Sequence, residues 1–534
     1  MKSIMHIKVA LRTPTKKQLI HWLTMFILMI SAARLEGAVY YVDSVTGDDS
    51  RSGTNENSAW KSLAKANQVT LAPGDKLLFK AGSRYSGQLR PKSSGSKDAP
   101  VIIDMYGTGQ KPRIDGEGKC LETVLLQNVE YLQFRNIEIT NTGAERANGR
   151  AGVRVKLSNF GTAHQIRLAN LYVHDVNGKV DNGKGAGIDF VIADGAQKSR
   201  YDGLTIEDCH LVRTDFYGIH GASPYTRFED RYLSPHVVIR GNLLEDIGGS
   251  GIVPIGCDGC RVEHNILKGA RTRTQGYAAG IYPWGCDNTI VQFNEVSGVI
   301  GTKDAMAFDS DYYCRNSLFQ YNYSHDNGGG FFLACSAGDD TSLEEAIKTN
   351  TGTVCRYNIS QNDGTHSDDP WGGGMIIKLA GTIRNTRIYN NVIYVPKGKN
   401  VKLIGNLSLH VGFPDRTWFC NNIFYVDGRV DYSLNQPGDK SSNNVFLNNV
   451  FYGNHAWLPP DPQAIRSDPM LIKPGSGKDG INSLDGYKLR PGSPCIGAGT
   501  DFDVDPNIYI NGGRDFWGNR LPADTKPNIG AYHN

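Results

Sequence analysis

The sequence predicts an all-β molecule, a single-stranded right-handed parallel β-helix closed by an N-terminal cap and a C-terminal cap. Three observations predict it: a short Asn-led segment that recurs along the chain, a Gly-led strand that recurs beside it, and strand-length runs with no helical spacing.

The first repeat reads RGNLLEDI at Asn242, EHNILKGA at Asn265, QFNEVSGV at Asn294, QYNYSHDN at Asn322, RYNISQND at Asn358, YNNVIYV at Asn391, CNNIFYV at Asn422 and LNNVFYG at Asn449. The intervals are 23, 29, 28, 36, 33, 31 and 27 residues, and weaker copies stand at Asn136 and Asn170. The second repeat reads GAGIDF (185–190), YGIHG (217–221), GSGIVP (249–254), AAGIYP (278–283), DAMAFD (304–309), GGGFFL (328–333) and GGGMII (372–377). Strands that recur turn after turn pair in parallel, and each turn buries its apolar face only against its neighbours. An Asn at one fixed place per turn can hydrogen-bond to the same Asn one turn on, as an internal amide ladder. The unequal intervals place loops of different length along the coil, where a binding groove is built.

The other elements follow in chain order. Residues 1–33 carry Lys2, Lys8, Arg12, Lys16 and Lys17, then an apolar run from Leu19 to Ile30 and the small residues Ser31, Ala32 and Ala33. That layout is a secretory signal, and with no Cys before Cys120 it is not a lipoprotein signal. The expected location is periplasmic or secreted. Residues 34–115 form the N-terminal cap, with a strand, a loop, a helix from about Ala59 to Val69 and a hairpin. The coil spans 116–457. Residues 458–534, rich in Pro, Gly and Asp, form the C-terminal cap, since an uncovered turn leaves free strand edges.

The 534 residues are 39% hydrophobic and 21% charged, with 62 Gly, which excludes a disordered chain and a collagen-like one. The formal charge of +3 becomes 3 − 5 = −2 without the leader, too small for whole-molecule attraction to a polyanion. There is no GxxxxGK[ST], no dinucleotide fingerprint and no basic stripe, so nucleic acid is not an expected partner, nor is a membrane span after the leader. Ten Cys lack zinc spacing, and no metal site is assigned from them; buried free thiols are expected over bridges.

The opening YYVDSVTGDDSRSGT…AWKSLAKA…PGDKLLFKAGSRYSGQL, the Asn-led turns and the closing SPCIGAG…GRDFWGN…NIGAYHN resemble the secreted bacterial β-helix proteins of the pectate-lyase-like superfamily. The resemblance implies a carbohydrate polymer or oligosaccharide lying in a groove along the coil; the expected state of the chain is a monomer. It does not choose among lyase, hydrolase, epimerase and inert surface protein. The polygalacturonase motifs Gly-His-Gly and Arg-Ile-Lys are missing.

Aligning the Gly-led strands places Asp189, His220, Val253, Tyr282, Phe308, Phe332 and Ile376 in one outward column. Two residues on, a second column holds Val191, Ala222, Ile255, Trp284, Ser310, Ala334 and Lys378. Aromatic rings suit sugar faces and Arg forks suit carboxylates. The leading expectation is therefore β-elimination on a uronic-acid-containing polysaccharide or oligosaccharide end. His220 would be base, Tyr282 acid and Asp189 the orienter of His220, with Arg271 or Arg273 as carboxylate clamp. Arg213, Tyr217, Trp284, Trp371 and Lys378 would bind substrate. The alternative is a glycoside hydrolase using Asp304, Asp309 and Asp311, with Asp326 one turn on. These Asp residues would also suit a structural or catalytic calcium. The third reading is a non-catalytic carbohydrate-binding surface protein, with the loops 336–350 and 366–374 as groove walls.

Overall fold

The computed structural model describes residues 37–180, 185–301, 303–336, 350–366, 374–407, 412–436, 438–500, 512–521 and 525–533. The predicted leader, Trp371 and most of both expected groove walls lie outside these residues.

The chain winds as a parallel β-helix with three faces. The first begins at Val39–Val42 and Lys76–Lys80 and runs through Val101–Tyr106 and Leu132–Arg135 to Val445–Leu447. The second runs from Arg84–Ser86 through Tyr172–Val176 and Glu295–Val299 to Val450–His455. The third contains Glu122–Gln127, Ala151–Leu157, Ala186–Ile192, Tyr217–Ala222 and Ile252–Val253. It continues through Ile281 to Met306–Ser310, Gly330–Cys335, Met375–Ala380 and Asn400–Leu407. Strand alternation sends every second residue of this third face inward. Val153, Ile188, Ile219, Ile252, Ile281, Phe308, Phe332, Ile377 and Ile404 thus form one fully buried column. The glycine before Ile219 and before Ile252 is required by close packing: a Cβ on Gly218 would meet the Gly251 carbonyl oxygen at 2.7 Å, and one on Gly251 would meet that of Gly280 at 2.5 Å.

The amide ladder is present. From Asn242 to Asn449 each Asn donates its side-chain N–H to the Oδ1 of the next, at 2.9–3.0 Å, and the same oxygen accepts the backbone N–H of the previous Asn. Asp461 ends the stack by accepting from Asn449. Asn136 and Asn170 do not extend it. They sit one residue earlier, at a corner with φ of 61° and 51°, where Asn is tolerated as a left-handed residue; Asn390, Asn421 and Asn448 hold the same corner later. Cys209 takes the ladder place on the turn below Asn242 and donates its backbone N–H to it.

The ends differ from expectation. The strands at residues 39–42 and 76–80 pair in register with the first face, so the supposed N-terminal cap is largely the opening turns of the coil. The expected Ala59–Val69 helix shrinks to one turn, Leu63–Ala66, with Ser62 accepting from Lys65 N–H. Trp60, Leu63, Ala66 and Leu71 join the core there. The C-terminal segment lies along the flank of the second face, packing Leu471, Leu484, Tyr487 and Ile529 against Tyr323, Ile359, Val392, Ile423 and Val450. Its backbone and side chains also bond Glu295, Tyr321 and Gln361. The ten cysteines are free, nine of them buried, as expected of a stack of thiols. Among the described residues no helix is long and apolar enough to cross a membrane.

Candidate active site

The observed register corrects the outward columns. Ile281 bridges Phe308, which puts Tyr282 beside Asp309, and Asp309 pairs with Leu333, which pairs with Lys378. The first outer column is therefore Arg154, Asp189, His220, Val253, Tyr282, Asp309, Leu333 and Lys378. Phe308, Phe332 and Ile376, expected here, are buried in the core. Ser310 and Ala334 are likewise buried, and Asp311 and Cys335 replace them in the second column. A slip of one residue at Phe308 and Phe332 exchanges the faces of those strands, and a slip of two at Ile376 moves Lys378 from the second column to the first.

At one end of this face is a chain of charge. Glu122 holds the Arg154 guanidinium, whose Nε and Nη2 donate to Asp189 Oδ2 at 3.0 and 2.8 Å, and Asp189 Oδ1 faces His220 Nδ1 at 3.0 Å. An ionised carboxylate only accepts, so the proton is on Nδ1. The Tyr217 ring stacks on the imidazole at 3.9 Å between centroids. Asp189 and His220, expected as orienter and base, are in contact, but both are buried and Asp189 is tied to Arg154, which it shares with Glu122.

At the other end three carboxyl groups converge. Asp309, on the strand Met306–Ser310, Asp311, just past its end, and Cys335 each bring a ligand atom within 4.8 Å of the others. The Cys335 thiol donates to Asp311 Oδ1 at 3.2 Å, and the Tyr312 backbone N–H donates to the same oxygen at 2.7 Å. Buried Lys378 places Nζ 3.9 Å from Asp304 Oδ1. Asp304 and Ala305 both take left-handed backbone, with φ of 61° and 49°, just before the strand; strain of this kind concentrates at functional sites. Burial pushes the Asp311 carboxyl up to about 7, and burial together with the charge of Asp311 and Asp304 raises Asp309 well beyond the usual range. Burial also raises the hydroxyls of Tyr282, Tyr312 and Tyr217 and the Cys335 thiol, so these stay protonated. Tyr282 bonds Ser250 Oγ at 3.0 Å. The set does not suit calcium, which takes six to eight oxygens, because two carboxylates here share their third partner with a thiol sulfur.

Several expected binders have other occupations. Arg213 clamps Asp175, whose carboxyl falls to about 2 in consequence. Arg273 binds Asp215 and Asp246, and Arg271 is buried against backbone carbonyls, so neither is a free carboxylate clamp. Trp284 packs edge-on to Tyr313. Asp326 bonds His325 and Asn362 on the second face, away from the other three Asp residues. Cys335, Tyr312 and Arg154 were not singled out from sequence. The available signal was that Asp309 and Asp311 share a face by alternation, which places the residues after Leu333 beside them.

No family model matches the chain. The crystal structure of a GH136 lacto-N-biosidase from Eubacterium ramulus is 30% identical, covering 71% of this chain and 68% of that one with a TM-score of 0.54. This chain belongs to the GH136 family. The selenomethionine derivative of the same GH136 protein superposes with a TM-score of 0.57 at 27% identity, covering 83% of this chain and 72% of that one. The lacto-N-biosidase of Bifidobacterium longum subsp. longum is 29% identical over 612 residues, 93% of this chain but only 36% of that longer protein. GH136 members are glycoside hydrolases, which overturns the expectation of β-elimination on uronates and with it the roles of base for His220 and acid for Tyr282.

Proposed function

We propose that this chain is a glycoside hydrolase that releases lacto-N-biose from an oligosaccharide, with Asp311 as nucleophile and Asp304 as general acid and base. One observation carries the reading: Asp304, Asp309 and Asp311 lie close enough on the outer face of a GH136 coil to raise one another's protonation, with the buried Lys378 ammonium 3.9 Å from Asp304. The reading of the substrate comes from the names of the relatives.

Charge balance assigns the roles. Three carboxyl groups facing one cation are neutral when two of them hold protons, which leaves one anion and two acids. Asp309 is 3% exposed and is raised by burial and by the charges of Asp311 and Asp304, so it keeps its proton and serves as a neutral buttress. Asp311 receives two donors, the Tyr312 N–H and the Cys335 thiol, and these favour its anion. The Asp304 side chain is 26% exposed and reaches solvent, as a group that must exchange protons with leaving sugar and water does. Asp311 attacks the anomeric carbon as Asp304 protonates the departing oxygen, giving a glycosyl ester. Asp304 then takes a proton from water, whose oxygen displaces Asp311, and the anomeric configuration is retained.

The test is incubation with an oligosaccharide ending in lacto-N-biose, with mass spectrometry of the products. Disaccharide plus one water across the cleaved bond is expected. Azide then separates the roles: an Asp304→Ala variant with azide yields glycosyl azide of retained configuration, and an Asp311→Ala variant yields the inverted one. Intact substrate with wild-type protein would end the reading.

A further inference from the structure

We propose that Tyr277 forms the platform for the sugar unit on the leaving-group side of the bond that is cleaved; this rests on the hydrolase reading and on Asp304 as its acid. A general acid stands beside the leaving oxygen, so whatever lies next to Asp304 on the solvent side meets the departing sugar. Ala278 is the residue that bridges Asp304, and its carbonyl accepts the Ala305 N–H at 3.0 Å. Its neighbour Tyr277 is 56% exposed, the most exposed Tyr, Trp or Phe side chain among the described residues. Lys303, the neighbour of Asp304, places its ammonium 5.6 Å over the Tyr277 ring.

The loop that presents this ring is held from below. Arg271, 5% exposed, donates through Nε and Nη2 to the Gly276 carbonyl at 3.1 and 2.8 Å, and through Nη1 to the Ile300 carbonyl at 3.2 Å. One buried guanidinium thereby ties the loop bearing Tyr277 to the loop bearing Lys303, and the Gly276 N–H is bonded to Thr274 Oγ1 at 3.0 Å. The Tyr277 ring is thus held half in water on a loop fixed by a buried Arg. Its chemistry suits the apolar C–H face of a pyranose, with the Lys303 ammonium placed for a hydroxyl at the ring edge.

The experiment compares two substrates that share the same disaccharide. One carries a further sugar as leaving group; the other is the glycosyl fluoride, whose leaving group cannot stack. In Tyr277→Ala the kcat/KM ratio of oligosaccharide to fluoride falls about three- to tenfold, while Tyr277→Phe keeps the wild-type ratio. Tyr277→Leu is read the same way should the Ala variant melt at a lower temperature. Equal losses on both substrates, no loss on either, or a Phe variant that behaves like Ala would overturn the platform and leave the hydrolase reading standing. A wild-type protein inert toward both substrates would overturn both.

Discussion

Two stacks of polar side chains climb the same coil, one residue per turn, and they behave oppositely. The ladder from Asn242 to Asn449 repeats one residue eight times, and every amide oxygen and nitrogen is satisfied by its neighbours. The outer column from Arg154 to Lys378 changes residue at almost every turn and leaves a nonuniform string of charges, with a guanidinium at one end, an ammonium at the other and acids between. Repetition gives a self-complementary structure with nothing left over for a ligand. Variation on the same scaffold creates groups whose protonation is set by burial and by one another, which is where chemistry is possible.

The largest way to break this contrast is Asp311→Asn. It should lower kcat on a lacto-N-biose-terminated oligosaccharide by about 10³-fold or more while melting stays near wild type; a fall of less than tenfold would remove Asp311 from the chemistry. Next comes Arg154→Met, which leaves buried Asp189 and half-buried Glu122 without their cation. Its cost in unfolding free energy by denaturant titration is expected to be about 3 kcal/mol, more than any single rung of the ladder. Asn322→Ala removes the amide that donates to Asn358 and accepts from Asn294. A loss of about 2 kcal/mol is expected with kcat unchanged, and a change in kcat larger than threefold would show that the two stacks are coupled.

A further test lies in pH dependence. Asp311 rises from 3.8 to about 7 in the folded chain and Asp309 rises as well, so the folded state holds protons that the unfolded chain releases. Their contribution is fully present below about pH 4 and is lost as pH rises toward 7. Asp309→Asn should flatten that decline. A wild-type stability that climbs between pH 4 and 7, with the same slope in the variant, would contradict the shared-proton description.

Much of this fold could be read from the amino acids. The Asn spacing located the second-face strands, and the Gly-Ile pairs located the third face and its buried column. The misreadings are local and physical. Asn136 and Asn170 look like ladder residues because left-handed corners and interior amides both favour Asn, and only the backbone angles tell them apart. Tyr282 was aligned with Phe308 when it stands beside Asp309, because the left-handed pair Asp304 and Ala305 resets the register after an irregular loop.

By itself, then, the sequence determined the coil, since parallel stacking follows from short-range periodicity that any turn carries within its own residues. It also supplied Asp304, Asp309 and Asp311 as a cluster, because they lie within one strand and its two flanks. Only the tertiary structure decided that Lys378 and Cys335 complete that cluster, that Asp189 and Glu122 share Arg154, and that Arg271 faces inward. Each of these depends on the exact length of an intervening loop, and one residue more or less turns a strand's outward side chains into the core.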